Sequence, residues 1–407
     1  MALQTTDVLN LLQKSIAKKI EDNVPQTTPL LSVLKRNEGA TPMANNTFYV
    51  TEWVGNFSNI GQFAAGSQLV GGNAANVQFA ITAKRLYADI SVDEFTIEAM
   101  GKVPEGSLVD FVKGFTDRME LGVGREMNRT FHGDSTGKIA RANGSASSST
   151  ALVVQALDAD TSDLLGEQYI EVGDYIKIGS GAAVQVTAVA GTAVTIAAAR
   201  AWSDEDAIKK ASADGAAAVE MQGLKGVIVN TGTIQGVNIA NYAHLQAYVD
   251  TTQHDISSVK ENPMVLAYLK TAAHKASAAL VGFCNVTVFN EWADILTALK
   301  KTANSKENIS GGIQLQGDVI KMPYLNFMDG EVYLDIDAYT NHWYNTDPAS
   351  MTIGDMGGGV KLSVGPDGKS VWTRKSGYVP EYEATLRFYG ELIMKRPKAN
   401  AVCTNLI

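Results

Sequence analysis

Cysteine is nearly missing from this 407-residue chain: Cys284 and Cys403 stand far apart, with no Cys-x-x-Cys spacing. That excludes a disulfide framework and a cysteine zinc site, and it fits a reducing compartment. No apolar run approaches the roughly 18 residues a membrane-spanning helix needs, so no membrane segment is expected. The opening "MALQTTDVLNLLQKSIAKKI" lacks a basic start followed by an apolar stretch, so it is not read as a secretion signal. Lys and Arg form no run and total 34 against 43 Asp and Glu, a net charge of −9, which speaks against a DNA-neutralising surface. The five histidines, His132, His244, His254, His274 and His342, show no metal-ligand spacing. No Gly-x-Ser-x-Gly elbow or nucleophile–base pair is visible, so no catalytic, cofactor-binding or metal residue is assigned and no enzyme is expected. What remains is ordinary globular composition, 45% apolar and 19% charged, in a chain long enough for two or three domains. A soluble protein made in a cytoplasm is the expectation.

One stretch imitates a nucleotide-binding loop. "FHGDSTGKI" (131–139) puts three residues between Gly133 and Gly137, and Ile139 follows Lys138 where a hydroxyl residue belongs. A phosphate loop also needs a strand before it and a helix after it. Here the strongest helical pattern of the chain comes first, and a β-rich stretch follows. Gly133 is therefore read as a helix stop, and the run as a turn.

That helical pattern is "SLVDFVKGFTDRMELGVGREMNRTF", in which Phe111, Phe115, Met119, Val123, Met127 and Phe131 recur every fourth residue. Ahead of it lie an amphipathic helix (Leu9, Leu12, Ile16, Ile20) and a short one in "TTPLLSVLKR", with Thr28 as N-cap and Pro29 in the first turn. Together they read as an arm that needs another surface to lie on. Two strand-like runs follow, "NTFYVTEWV" (46–54) and "NVQFAITAKRLYADISV" (76–92). The Gly-rich connection between them carries Phe57, Ile60, Phe63 and Leu69, which suit burial against a neighbour better than exposure to water.

From 143 to 222 the composition shifts to Ala, Gly, Ser and Val. "GSASSST" reads as a flexible entry to short strands at 175–178, 182–189 and 192–198, which together predict an inserted β barrel or sandwich. Next, Asn262-Pro263 opens a helix to about Leu280. "NVTVF" (285–289) reads as a buried strand, and Asn290 as the cap of a second helix. The late strands are "DVIKMPYLNF", "EVYLDIDAYT", two arms around the Gly365-Pro366-Asp367-Gly368 turn, and a long strand at 382–396. Alternation puts Asp335 and Asp337 on one strand face. They could hold a metal, but a solvated or turn-adjacent edge is the favoured reading.

The order of these parts resembles the major capsid proteins of tailed bacteriophages, whose fold is shared with encapsulin shells. "NNTFYVTEWVG" to "RLYADISVDEF" is similar to that family's extended loop, and "EGSLVDFVKGFTDRMELGVGREMNRTFHGDSTGKI" to its spine helix. "GDVIKMPYLNF" with "GEVYLDIDAY" is similar to its late strands, and "ELIMKRPKANAVCTNLI" to its closing segment. The resemblance implies an α+β tailed-phage capsid fold divided into an N-terminal arm (1–42), an extended loop (43–97), a peripheral domain with the spine helix (98–142) and an inserted β domain (143–222). An axial domain (223–329), peripheral strands with a projecting hairpin (330–395) and a C-terminal segment (396–407) complete it. It also implies hexamers and pentamers tiling an icosahedral shell around double-stranded DNA, in a virion made in a host cytoplasm. The partners would be other copies of the chain, a portal, and scaffolding or decoration proteins, with no sequence-specific DNA binding, no membrane and no cofactor. With only a short arm before the loop, any scaffold is expected to be a separate protein. Expected contacts between copies are Trp53, Phe57, Ile60, Phe63, Leu69, Lys84, Arg85, Pro366, Asp367, Gly368 and Arg374. The alternatives are an encapsulin-like compartment shell and, from another class, a β-rich carbohydrate-binding or adhesin protein.

Overall fold

The longest strand, Glu381–Met394, sets the frame of the molecule. Its sequence alternates: Ala384, Leu386, Phe388 and Leu392 face a core, while Thr385, Arg387 and Tyr389 stay half exposed. Along one edge it pairs antiparallel with Lys84–Asp93; Met351–Asp355, Lys361–Leu362 and Thr373–Arg374 also pair with it. Arg36–Glu38 adds a parallel strand beside Met351–Asp355, completing a six-stranded sheet. The computed structural model describes residues 28–34, 36–38, 46–55, 62, 73, 75–93, 119, 122–157, 169–216, 219–256, 263–302, 324–356, 359–363, 373–374 and 381–406.

The short helix Pro29–Val33 starts as its proline predicts, but Thr28 makes no side-chain capping bond. Leu30, Leu31 and Leu34 lie in the main core of this same chain, so this piece of the arm finds its surface at home. The first predicted helix (Leu9 to Ile20) lies outside the described residues. Thr47–Trp53 and Asn76–Thr82 form a two-stranded antiparallel ribbon. Its base is held by Phe48, Phe79 and Ile81 in the main core. The second predicted strand run divides at Ala83, where the chain leaves the ribbon and enters the six-stranded sheet.

Of the long predicted helix, residue 119 and residues 122–132 are described and helical, with Val123, Met127 and Phe131 buried at the expected spacing. Gly133 ends it, its N–H reaching the carbonyls of Arg129 and Thr130. The rest of "FHGDSTGKI" is a turn. The Asp134 carboxylate accepts from the Thr136 N–H at 3.0 Å, and Gly137 takes a left-handed φ of 72° before a strand begins at Lys138.

That strand opens a closed six-stranded barrel: Lys138–Ala142, Ala146–Gln155, Tyr175–Ile178, Val184–Ala190, Ala193–Trp202 and Ala207–Ala211. The expected flexible entry at "GSASSST" is a strand instead. Register shifts at Ser149 let a polar run pair with Ala193–Trp202, and the Ser149 hydroxyl takes the Ala151 N–H at 3.0 Å. Ile139, Leu152, Val154, Ile176, Val186, Ile196 and Ile208 fill the barrel with a core of its own.

A second, mixed six-stranded sheet runs Tyr248–Asp250, Ala401–Cys403, Trp343–Thr346, Val281–Cys284, Gly330–Leu334, Tyr324–Phe327. The helices Pro263–Ala272 and Val286–Thr302 pack on it. Two expectations change here. "NVTVF" belongs mainly to the second helix, and the strand is the preceding "VGFC". Asn285, not Asn290, is the cap: its side-chain oxygen takes the Val288 N–H at 3.3 Å and turns the chain before a β-branched strand can continue. The first helix stops at Ala272 because Asp347 captures the N–H groups of Ala276 and Ser277, at 2.7 and 3.1 Å.

Candidate functional site

Two regions carry the functional reading: the outward face of the ribbon, and a buried polar junction that fixes the barrel to the body. In the ribbon, alternation sends Tyr49, Thr51 and Trp53 outward, opposite Ala80, Gln78 and Asn76. Trp53 is 68% exposed and Tyr49 41% exposed. An isolated two-stranded ribbon is only marginally stable in water, so its distal half depends on the grip at its base. There the Ala80 N–H also reaches the Gln235 carbonyl at 3.0 Å. Gln235 and Gly236, with φ of 48° and 87°, form the tip of a hairpin held against Leu392 and Met394 of the long strand.

Of the residues expected at contacts between copies, Trp53 stands exposed at the distal end of the ribbon. Lys84 and Arg85 begin the edge strand and pair with Gly390 and Tyr389. The strand Thr47–Trp53 carries Trp53 about 20 Å from the ribbon's base, so the structure does not bring Trp53 and Arg85 together. Arg374 pairs in register with Tyr382. Phe57, Ile60, Phe63, Leu69, Pro366, Asp367 and Gly368 lie outside the described residues.

The junction corrects the reading of Asp335 and Asp337. They are turn-adjacent, just past Gly330–Leu334, but buried, not solvated: they are 1% and 6% exposed. The Asn128 amide donates to both, at 2.9 Å to Asp335 and 2.7 Å to Asp337. His132 Nε2 lies 2.9 Å from Asp335, and the Tyr169 hydroxyl donates to Asp337 at 2.7 Å. Helix, barrel and late strands thus meet on two carboxylates. Burial works against the charge on both. His132 and the donors outweigh it at Asp335, whose pKa falls, whereas burial and the neighbouring Asp335 raise that of Asp337. Burial, reinforced by Asp337, pushes the Tyr169 hydroxyl well above the usual tyrosine range.

Beside this pair runs an ion network. Arg129, 4% exposed, bridges Glu126 at 2.6 Å and also Glu220, while Lys210 of the barrel reaches Glu126 at 3.1 Å. Burial disfavours the Glu126 carboxylate, but two cations overcome it and hold its pKa at about 2. Glu220 shares only Arg129 closely, so burial prevails and its pKa rises. The chain leaving the barrel is clamped at the same place. Gly223 N–H reaches the Gly133 carbonyl at 3.1 Å, and a Cβ on Gly223 would meet the Phe131 backbone at 2.4 Å. Glu391 of the long strand, buried and with its pKa pushed up to about 8, accepts the Gln222 N–H at 2.7 Å.

The sequence reading missed Asn128, Arg129, Glu126, Glu220 and Glu391. The available signal was the Glu-x-x-Arg spacing on a helix whose apolar stripe was already assigned. Among the described residues, no group of three or more His, Cys, Asp or Glu could hold a metal ion. No helix among them is long and apolar enough to cross a membrane. Cys284 and Cys403 are free and buried, with thiols raised by burial.

No protein-family model and no curated protein sequence matches the chain. Solved structures do. A chain of the cyanophage A-1(L) capsid asymmetric unit aligns over 93% of both chains, with a TM-score of 0.52 and 13% identity. A chain of the native GTA particle capsid aligns over 95% of this chain and 91% of its own, with a TM-score of 0.47 and 9% identity. One from Mycobacterium phage Bobi aligns over 99% of each, with a TM-score of 0.44 and 10% identity. The ribbon, the helix ending at Gly133, the mixed sheet with its two helices and the long strand occur here in the order the resemblance implies. The chain has the α+β phage capsid fold, aligning over 93% of its length with the chain of the cyanophage A-1(L) capsid.

Proposed function

We propose that this chain is the major capsid protein of a tailed bacteriophage, assembling as hexamers and pentamers into an icosahedral shell around double-stranded DNA. The observation that carries this reading is the shared fold over nearly the whole of both chains, with the cyanophage A-1(L) capsid as the point of comparison. Fold alone does not specify function, so the reading also leans on the surface. The ribbon bares Trp53 and Tyr49 on one face, and aromatic side chains of this kind are typical anchors in protein–protein contacts. A neighbouring copy that covers them removes the exposed apolar area. Repeated heterologous contacts of this type close into rings and shells.

On this reading the extended loop expected at 43–97 reaches the adjacent subunit with the distal end of the ribbon, since Phe48, Phe79 and Ile81 and the strand Lys84–Asp93 are held within this chain. The axial domain is then the mixed sheet with its two helices, which takes in Gly330–Leu334, Trp343–Thr346 and Ala401–Cys403 beyond the expected 223–329. The six-stranded sheet and the helix ending at Gly133 form the peripheral domain, and the barrel is an insertion. Pro366–Gly368 and Arg374 meet neighbouring copies, while Leu30, Leu31 and Leu34 of the arm and Ala401–Cys403 of the C-terminal segment pack within this chain. The role is architectural, not catalytic. A net charge of −9 limits adhesion of the shell wall to the DNA it encloses. The protein resides in the virion, is made in the host cytoplasm, and works with a portal and with scaffolding or decoration proteins.

Negative-stain microscopy of the expressed chain tests this. Closed particles of uniform diameter, made of rings of five and six copies, are expected. A stable monomer at high concentration, or binding of glycans without particles, overturns the reading. Particles that carry protein cargo and exclude DNA point to a compartment shell instead.

A further inference from the structure

The edge strand Lys84–Asp93 and the long strand Glu381–Met394 present an outer face that differs in character from the rest of this acidic chain. Cross-strand register places Arg85 opposite Tyr389, and Tyr87 opposite Arg387, so the four side chains form one cluster. The Tyr87 and Tyr389 rings meet edge to face, 5.8 Å between centroids. The Arg85 and Arg387 guanidinium carbons lie 5.9 and 5.4 Å from the Tyr389 ring centroid. Tyr87 is 47% exposed.

The hydrogen-bond inventory of this cluster is unbalanced. The Tyr87 hydroxyl donates to that of Tyr389 at 3.3 Å, which leaves the Tyr389 proton to be given outward. Each guanidinium brings five N–H donors and no acceptor. Among the described residues, neither Arg85 nor Arg387 has a carboxylate within 4.0 Å, although Asp89 and Glu383 lie farther along the same strands. The Arg387 Nε has no hydrogen-bond partner among them. The surplus of donors also acts on the Tyr389 hydroxyl: the hydrogen bond from Tyr87, then Arg387 and Arg85, draw its pKa below the usual tyrosine range. Among the described residues, donors converge here and outnumber the acceptors in the cluster, which are the two tyrosine hydroxyls.

We propose that this Arg85–Tyr87–Arg387–Tyr389 face is an intersubunit docking surface that receives a carboxylate-bearing surface of a second copy of the chain. The inference rests on the capsid reading and names one of its contacts. Charge complementarity selects the occupant: each copy carries 43 acidic against 34 basic residues, so neighbouring copies supply carboxylates in excess. The composition fits too, because Arg and Tyr are enriched at the energetic centres of protein–protein interfaces. A carboxylate is an acceptor-only group that matches the fork of a guanidinium.

The test is the full-length chain carrying Arg85→Glu with Arg387→Glu, beside Arg85→Lys with Arg387→Lys, which keeps the charge and loses the fork. Circular dichroism and thermal melting establish that each variant folds; Arg85→Gln with Arg387→Gln replaces the reversal if it does not. Particle yield by sedimentation is expected to fall roughly ten-fold for the reversal and less for the lysine pair, and wild-type yield to fall as salt rises. Unchanged particle yield overturns the proposal. So does normal assembly with reduced DNA content, which makes the partner a phosphate backbone. If the wild type forms no particles, the capsid reading fails first, and self-association by analytical ultracentrifugation then decides the patch. Salt-sensitive association lost in the reversal supports it, and no difference between the two chains overturns it.

Discussion

Glu391 is the residue where burial and pH meet most directly. Its carboxyl sits inside the molecule against Gln222, and burial lifts its pKa to about 8 from an ordinary value near 4.5. The folded chain therefore holds this proton more tightly than the unfolded chain. Its contribution is fully present below about pH 4.5 and is lost as pH rises through 8, on the order of 5 kcal/mol at the limit. Glu391→Gln is expected to melt close to the wild type at pH 5 and progressively higher than it toward pH 9; a constant difference across that range contradicts the assignment. Arg129 makes the opposite case. Removing it as Arg129→Met strands Glu220 in the interior and leaves Glu126 with Lys210 alone, a loss of about 3–5 kcal/mol by denaturant unfolding. Little change would mean that water already reaches the pair.

Among the elements, the ribbon divides into a structural half and a bare half. Phe48, Phe79 and Ile81 hold its base in the main core, while Trp53 at the far end touches water on its outward face. Trp53→Ser is therefore expected to shift the stability of the unassembled chain by no more than about 0.5 kcal/mol. The same change is expected to lower particle yield, as read by sedimentation, because it deletes an aromatic anchor. A large drop in melting temperature would place Trp53 in a core instead. The α/β layer shows how one polar side chain decides an element. Val286, Thr287 and Val288 favour a strand by type, yet Asn285 caps them into a helix that packs Val288, Phe289 and Trp292 against the mixed sheet.

On the scale of the whole molecule, the described residues form three cores that meet at a polar junction. The barrel closes on its own apolar residues, with Tyr339 as the body's contribution to that cluster. The fragment spanning 137–212 is expected to fold alone, with a β-type circular dichroism spectrum and a single cooperative melt. An unfolded fragment would show that Tyr339 and the junction complete the barrel. Within the intact chain, Asn128, Arg129 and Tyr169 bind the barrel and the helix to Asp335, Asp337 and Glu220, so the barrel is braced and not merely tethered.

Local chemistry was legible in the amino acids themselves. Alternation in "NTFYVTEWV" and "NVQFAIT" is enough for the ribbon, and the fourth-residue apolar spacing with Gly133 is enough for the described end of the helix and its stop. Those signals act over a few residues, where steric preference and backbone hydrogen bonding dominate. What needed the tertiary structure is everything that pairs distant residues. His132 and Asp335 are 203 positions apart, and Tyr87 and Tyr389 are 302 apart. No local pattern distinguishes a solvated Asp335 from a buried one, because the side chain is the same and only the folded surroundings remove its water.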